Sequence, residues 1–350
     1  MLNLHIITVG RCRQPNGHRK STDTLYRNAQ KTHKNMTLKT DNAPSGRASH
    51  SPALWLVHIA ALIFVLMWGV SFVSTRVLIL HHMGPVEIYV YRFAVAYLMI
   101  LLISHKRFRS YSWRDEWRFM LCGLSAGSIY FIAENTALEY TFTTNVSLLT
   151  SLSPLITIFL LAFIYKSEKP GRGMVLGSFV AFIGAACVIF NSSSSDTETA
   201  SNPLLGDTLS IAAAFSWAVY SIILRGLSAN YDVWFITRKT FFYGVITALP
   251  FLAFGPQLNN PIELLSDTMV LTNLLFLSVG CSAVAYLLWS LCVRHLGAVT
   301  ANNYMYLQAV VTMIAAYFIV NEPITAIGII GCALVIGGLW IGEKLNHRPN

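Results

Sequence analysis

Arg92 and Glu134 are the ionisable side chains set deepest in apolar sequence. Arg92 lies about seven residues, roughly 10 Å at the helical rise, from the outer end of one hydrophobic run. Glu134 lies at similar depth in the next run. Charges so placed are rare, and are either paired or used. The two should meet directly or through water, as an ion pair that fixes helix contacts. The alternative is recognition of a charged substrate, with Glu134 taking up a proton. Gln308 sits at the middle of another run, where an amide facing lipid is costly, so it should face a partner or a ligand. Asn303 precedes it, nearer the end of that run. Pro154 removes a backbone donor and frees a carbonyl one turn earlier. In hydrocarbon that carbonyl must find a partner or line a wet space. Pro154 therefore either shapes a cavity or kinks against a neighbour. Trp68 and Trp217 are too central for an interfacial belt and offer flat apolar walls with an N–H handle. Tyr130, Tyr220 and Tyr286 either join them or belong to the core.

These residues imply elements that cross a bilayer. The chain has 350 residues, 54% of them hydrophobic and only 12% charged, against about 25% charged in soluble domains. The apolar residues fall in blocks long enough to span hydrocarbon as helices, and no alternating pattern suggests a barrel. The expected spans are 53–75, 85–104, 118–138, 143–165, 173–191, 207–227, 234–254, 268–293, 297–320 and 323–342.

The net charge of +9 suggests nucleic acid, but its distribution argues against that partner. Nine basic residues precede Pro52. Others cluster at Lys106–Arg118, Lys166–Arg172, Arg225, Arg294, Lys344 and Arg348, while the alternate loops near 80–84, 139–143, 191–206, 255–267 and 321–323 hold no Lys or Arg. This bias predicts both termini in the cytoplasm of a plasma (inner) membrane protein. Arg238, with Lys239, and Arg76 sit near span ends and should snorkel. Residues 1–50 are expected to be a disordered tail, or to lie upstream of a true start at Met36. Cys122, Cys187, Cys281, Cys292 and Cys332 read as apolar fillers. His81 and His82 lack a third ligand. No phosphate loop or acid–histidine cluster appears, so no catalytic residue, metal or cofactor is expected.

The second half repeats the first. Glu168 and Glu322 each end a run, and fourteen residues earlier stand Pro154 and Gln308. Trp68-Gly-Val-Ser matches Trp217-Ala-Val-Tyr, and Val86–Arg92 matches Asp232–Arg238. The first repeat is 53–191, the linker 192–206 and the second repeat 207–343. Five spans per repeat invert the second, giving an all-α integral membrane fold of ten transmembrane helices with a site between the halves. Glu168 and Glu322 should cap spans five and ten. Gly173, Gly177, Ala181 and Ala185 form a small-residue stripe in span five, as do Gly328, Gly331, Gly337 and Gly338 in span ten. Such stripes pack helices closely, within the chain or in a homodimer.

The ordered motifs resemble the drug/metabolite transporter superfamily, specifically its EamA-like family, over residues 53–343. The resemblance rests on Trp68-Gly-Val-Ser-Phe, Pro85-Val-Glu87 with Arg92, Ala137-Leu-Glu-Tyr140, Ser153-Pro154 and Glu168-Lys169. The second repeat adds Trp217-Ala-Val-Tyr, Arg238, His295-Leu-Gly-Ala and Asn321-Glu-Pro323. One departure is Gln308, where a proline equivalent to Pro154 is often found. The resemblance implies small-molecule transport, commonly export of amino acids or related metabolites. A sugar-phosphate or nucleotide-sugar exchanger is the alternative, and would want more cations than Arg92. A membrane enzyme or scaffold fits less well.

Overall fold

The computed structural model describes residues 54–104, 108–164, 171–193, 201–254 and 266–346. The tail, Glu168 and residues 194–200 of the linker lie outside them. A backbone in hydrocarbon must satisfy its polar groups internally, which selects helices. All ten expected spans are helical. In chain order they are α1 (Leu54–Leu80), α2 (Pro85–Ile103), α3 (Trp113–Gly123) continuing through a π-helical segment into α4 (Tyr130–Tyr140), α5 (Thr143–Thr150) with α6 (Ser153–Ile164), and α7 (Arg172–Ser193). The second five are α8 (Pro203–Leu227), α9 (Val233–Phe254), α10 (Thr268–Leu275) continuing through a second π segment into α11 (Ala285–Leu296), α12 (Ala298–Asn303) with α13 (Tyr306–Ile319), and α14 (Ala326–Asn346). Among the described residues five spans (Leu54–Leu80, Pro85–Ile103, Thr143–Ile164, Pro203–Leu227 and Thr268–Leu296) are long and apolar enough to cross a membrane on length and composition alone.

The repeats show in the irregularities. Span three widens into a π helix at Leu124–Ile129 and span eight at Phe276–Val284. Both segments are rich in small residues, Ser125-Ala-Gly-Ser128 and Ser278-Val-Gly-Cys-Ser282. A π turn releases carbonyls from the regular ladder and often marks a functional site. Spans four and nine are each broken midway, at Ser151–Leu152 and at Tyr304–Met305. At both breaks the chain tightens to bonds three residues apart, Leu152 N–H to Leu149 carbonyl at 3.1 Å and Met305 N–H to Asn302 carbonyl at 2.9 Å. Pro154 is buried just after the first break, as the second residue of α6. The second break forms with no proline nearby.

The small-residue stripes face each other within the chain. A Cβ added at Gly177 would lie 2.2 Å from the Gly338 carbonyl oxygen, and one at Gly338 would lie 2.5 Å from that of Gly177. Gly177 and Gly338 therefore serve the α7–α14 seam. Gly69 makes a similar approach of α1 to α13, since its Cβ would fall 2.6 Å from Val311 Cβ.

Three charged residues depart from expectation. Arg76 does not snorkel: α1 runs on to Leu80, and the buried guanidinium donates to the Leu138 carbonyl. Arg238 does not snorkel either. It is 2% exposed and donates to the Ser104 carbonyl. Glu322 caps α5 rather than span ten. Its carboxylate accepts from Thr143 N–H at 2.8 Å and Thr144 N–H at 3.2 Å. Asn321, at φ 55°, makes the turn that folds it back, a conformation Asn tolerates better than most residues.

Candidate functional site

A chamber lies between the two repeats, lined by Trp68, Ser71, Phe72, Arg92, Tyr130, Phe131, Glu134, Trp217, Met305 and Gln308. Its volume is about 10 Å³, room for about one water. Its walls come from α1, α2, α4, α8, α13 and the break before α13. The close approach at Gly69 sets the floor. Thr312 Oγ donates to the Gly69 carbonyl at 2.8 Å and to the Gln308 carbonyl at 3.0 Å. This fixes Trp68 and Gln308, whose neighbours in sequence form that contact.

The aromatic wall is a cluster of edge contacts. Trp68 meets Trp217 with ring centroids 5.2 Å apart at 87°, and Tyr286 at 5.6 Å. Trp217 also packs on Tyr130 at 5.0 Å and Tyr220 at 5.1 Å. Each such pair adds about 0.5–1.5 kcal/mol beyond area burial. The π segments anchor this wall across the repeat boundary. Trp68 Nε1 donates to the Cys281 carbonyl at 2.9 Å, inside the second segment. Tyr286 hydroxyl donates to the Ala126 carbonyl at 2.9 Å, inside the first. Each repeat thus supplies a ring whose donor is held by the other repeat's released carbonyl.

The polar lining is richer in donors than in acceptors. Arg92 is 1% exposed; its Nε donates to Ser282 Oγ at 2.6 Å and its guanidinium lies 4.4 Å over the Phe131 ring. Arg92 Nη1, Gln308 Nε2 and Trp217 Nε1 are buried without partners. Glu134 is buried in the same chamber, with the Tyr130 hydroxyl one turn earlier directed toward its carboxyl. Arg92 and Glu134 therefore share a chamber, as their depths suggest, but no ion pair closes between them. An unmet buried donor costs about 1–3 kcal/mol, so the lining is short of acceptors.

Of the ten residues singled out from sequence, six line the chamber: Trp68, Arg92, Tyr130, Glu134, Trp217 and Gln308. Tyr220 and Tyr286 stand behind Trp217 as a supporting ring layer. Pro154 does not reach the chamber; it opens α6 beyond the break. Asn303 ends α12, and its side chain lies outside the described residues. Sequence reasoning missed Ser71, Phe72, Phe131, Met305 and the Ser282 hydroxyl that orients Arg92. The π segment decides which side chains of span eight face inward, so simple helical spacing does not mark Ser282. Among the described residues no three His, Cys, Asp or Glu gather as metal ligands.

Ties join the two repeats toward both ends of α1. On the side of the α1–α2 turn, His81 Nδ1 meets Asp267 at 2.8 Å and Ser74 Oγ donates to Asn273. On the other side, His58 meets Tyr304, Lys239 pairs with Glu116, and Tyr231 hydroxyl donates to Asp115 at 2.8 Å. Every one of these ties joins the two repeats.

A sequence profile described as the EamA-like transporter family matches residues 55–190 and again 204–341. A protein of Archaeoglobus fulgidus named as an uncharacterized transporter is 27% identical over 293 residues, covering 83% of this chain and 98% of its own. A probable amino-acid metabolite efflux pump of Salmonella typhimurium is 24% identical over 295 residues, covering 80% and 92%. A crystal structure 16% identical in sequence matches with TM-score 0.59 over 83% of this chain and 98% of its own, which speaks for the fold. The profile takes in both halves of the chain and breaks where the sequence repeat breaks. The protein belongs to the EamA-like transporter family and is a multi-pass membrane transporter.

Proposed function

We propose that this transporter is a secondary carrier that moves amino acids or related small polar metabolites outward across the plasma membrane. The observation that carries this reading is the chamber between the repeats, which has room for about one water and would widen to admit a solute as the repeats rock apart. Its lining includes Arg92, Gln308 and Trp217, each with a buried unmet donor, and the buried Glu134. A zwitterion suits such a lining: its carboxylate would take the donors, and its ammonium would face Glu134. The names of two relatives as probable amino-acid metabolite efflux pumps support the same class. A sugar-phosphate or nucleotide-sugar exchanger is disfavoured, because Arg92 is the one cation among the described residues lining this chamber.

The mechanism proposed is alternating access. Opening the ties at His81–Asp267 and Ser74–Asn273 would expose the chamber to one side. Opening those at His58, Glu116 and Asp115 would expose it to the other. Rocking one repeat against the other accomplishes either without dismantling a helix. Both termini are cytoplasmic in this reading, from the Lys/Arg bias of the loops, which puts the His81–Asp267 tie outside. The chain has no nucleotide-binding loop motif, so a solute or ion gradient supplies the drive.

The test is an untargeted comparison of metabolites inside and outside cells with and without this protein. Amino acids or close relatives should rise outside and fall inside when it is present. No change in either pool would overturn the reading.

A further inference from the structure

A recess at the inner end of α2 is separate from the chamber. It lies between α2, Phe108 and the first turns of α9, holds about 200 Å³, and is lined by Tyr97, Phe108, Arg238, Lys239 and Phe242. Arg238 is its buried cation. One arm, Nη1, donates to the Ser104 carbonyl, while Nη2 is buried without a partner. The guanidinium lies 4.7 Å from the Phe108 ring centroid and 5.4 Å from that of Phe235.

Among the described residues, the nearby acids Glu116 and Asp232 already hold other partners. Glu116 accepts from Lys239, Tyr243 and Ser110. Asp232 caps α9, accepting from Phe235 N–H at 2.9 Å. Arg238 therefore keeps an unmet donor in a low-dielectric setting, where a charged acceptor makes a strong bond. The open side of the recess is aromatic: Phe108 is 58% exposed and Phe242 is 37% exposed. Beside it a second cavity carries Trp113, 83% exposed, with Arg109 and Lys239. Exposed rings next to buried cations match the boundary between headgroups and acyl chains. On the Lys/Arg bias this is the cytoplasmic boundary, where anionic lipids concentrate.

We propose that this recess binds the phosphate of an anionic phospholipid headgroup, with Arg238 donating to it and Phe108 and Phe242 flanking the glycerol and upper acyl chain. A soluble phosphate would share the bond to Arg238 but gain nothing from the exposed rings.

The test is native mass spectrometry of the full chain released from detergent with equimolar phosphatidylglycerol and phosphatidylcholine. The wild-type chain should retain phosphatidylglycerol by about fivefold over phosphatidylcholine, the worth of one basic residue at an anionic surface. Arg238→Gln should lose that preference, and Arg225→Gln, exposed near the same side, should keep it. Should Arg238→Gln fail to fold, Phe108→Ser leaves the guanidinium in place and should still lower phosphatidylglycerol retention. Equal retention of the two lipids by the wild type would overturn the proposal. So would equal losses in the Arg238 and Arg225 variants, or full retention in Phe108→Ser. Displacement of the lipid by millimolar inorganic phosphate would assign the recess to a soluble anion instead.

Discussion

The α7–α14 seam and the central chamber are built from the same two repeats, but only the seam treats them alike. At the seam Gly177 and Gly338 face each other, and each would place a Cβ within 2.5 Å of the other's carbonyl oxygen. In the chamber both charges, Arg92 and Glu134, come from the first repeat. The second supplies neutral groups, Trp217, Met305 and Gln308. Arg238, the repeat mate of Arg92, is equally buried but sits away from the chamber against Ser104 and Phe108. The seam keeps the symmetry of the repeats, while the chamber lining does not. Substitutions at the seam should therefore act on stability and equally in both repeats. Substitutions in the chamber should act on transport and unequally.

The largest effect on stability belongs to the seam. Gly177→Val and Gly338→Val each force a side chain into backbone and should each destabilise by about 1–3 kcal/mol, read by thermal unfolding in detergent. Clearly different losses would break the symmetry argument. Gly69→Ala should cost a similar amount through Val311. Gly226→Ala, which has open space around the added carbon, should instead stabilise by about 0.5–1 kcal/mol.

Trp68→Phe keeps most of the aromatic wall but removes the donor to the Cys281 carbonyl. It should cost about 1 kcal/mol and leave the second π segment less protected in hydrogen exchange. If exchange there is unchanged, the released carbonyl is not what Trp68 satisfies.

The smallest effect concerns the His81–Asp267 tie. Asp267 accepts from the Met269 N–H at 2.8 Å and from His81. That backbone bond, with the His81 partner, holds its carboxyl below the usual carboxylate range. A depressed carboxylate pKa stabilises the fold above the unfolded value and loses that contribution as pH falls through the folded value. The wild-type melting temperature should therefore fall slightly more than that of Asp267→Asn on acidification through the ordinary carboxylate range. A larger fall in the variant would reverse the sign.

The spans, the repeat and most of the chamber lining were legible because membrane burial is written in composition. Ten apolar runs, and polar or indole side chains at their midpoints, leave few places for Arg92, Glu134, Trp68, Trp217 and Gln308 except the space between the halves. What could not be read arises where the helix departs from its regular period. The π segments turn Ser282 toward Arg92, and span nine breaks without a proline. Pro154 follows the first break without reaching the chamber. Glu322 was misjudged because its partners, Thr143 and Thr144, are remote in sequence. Arg76 and Arg238 look like interfacial charges, and only tertiary carbonyls from Leu138 and Ser104 let them stay buried.

The most direct test is efflux of an amino-acid mixture from vesicles reconstituted with purified wild-type, Arg92→Gln or Arg238→Gln chain, each first shown to be folded by thermal unfolding. The account predicts that Arg92→Gln slows efflux by about tenfold or more, the equivalent of about 1.4 kcal/mol, while Arg238→Gln stays within about twofold of wild type on the same scale. Wild-type efflux from the Arg92→Gln vesicles, or equal losses in both variants, would contradict it.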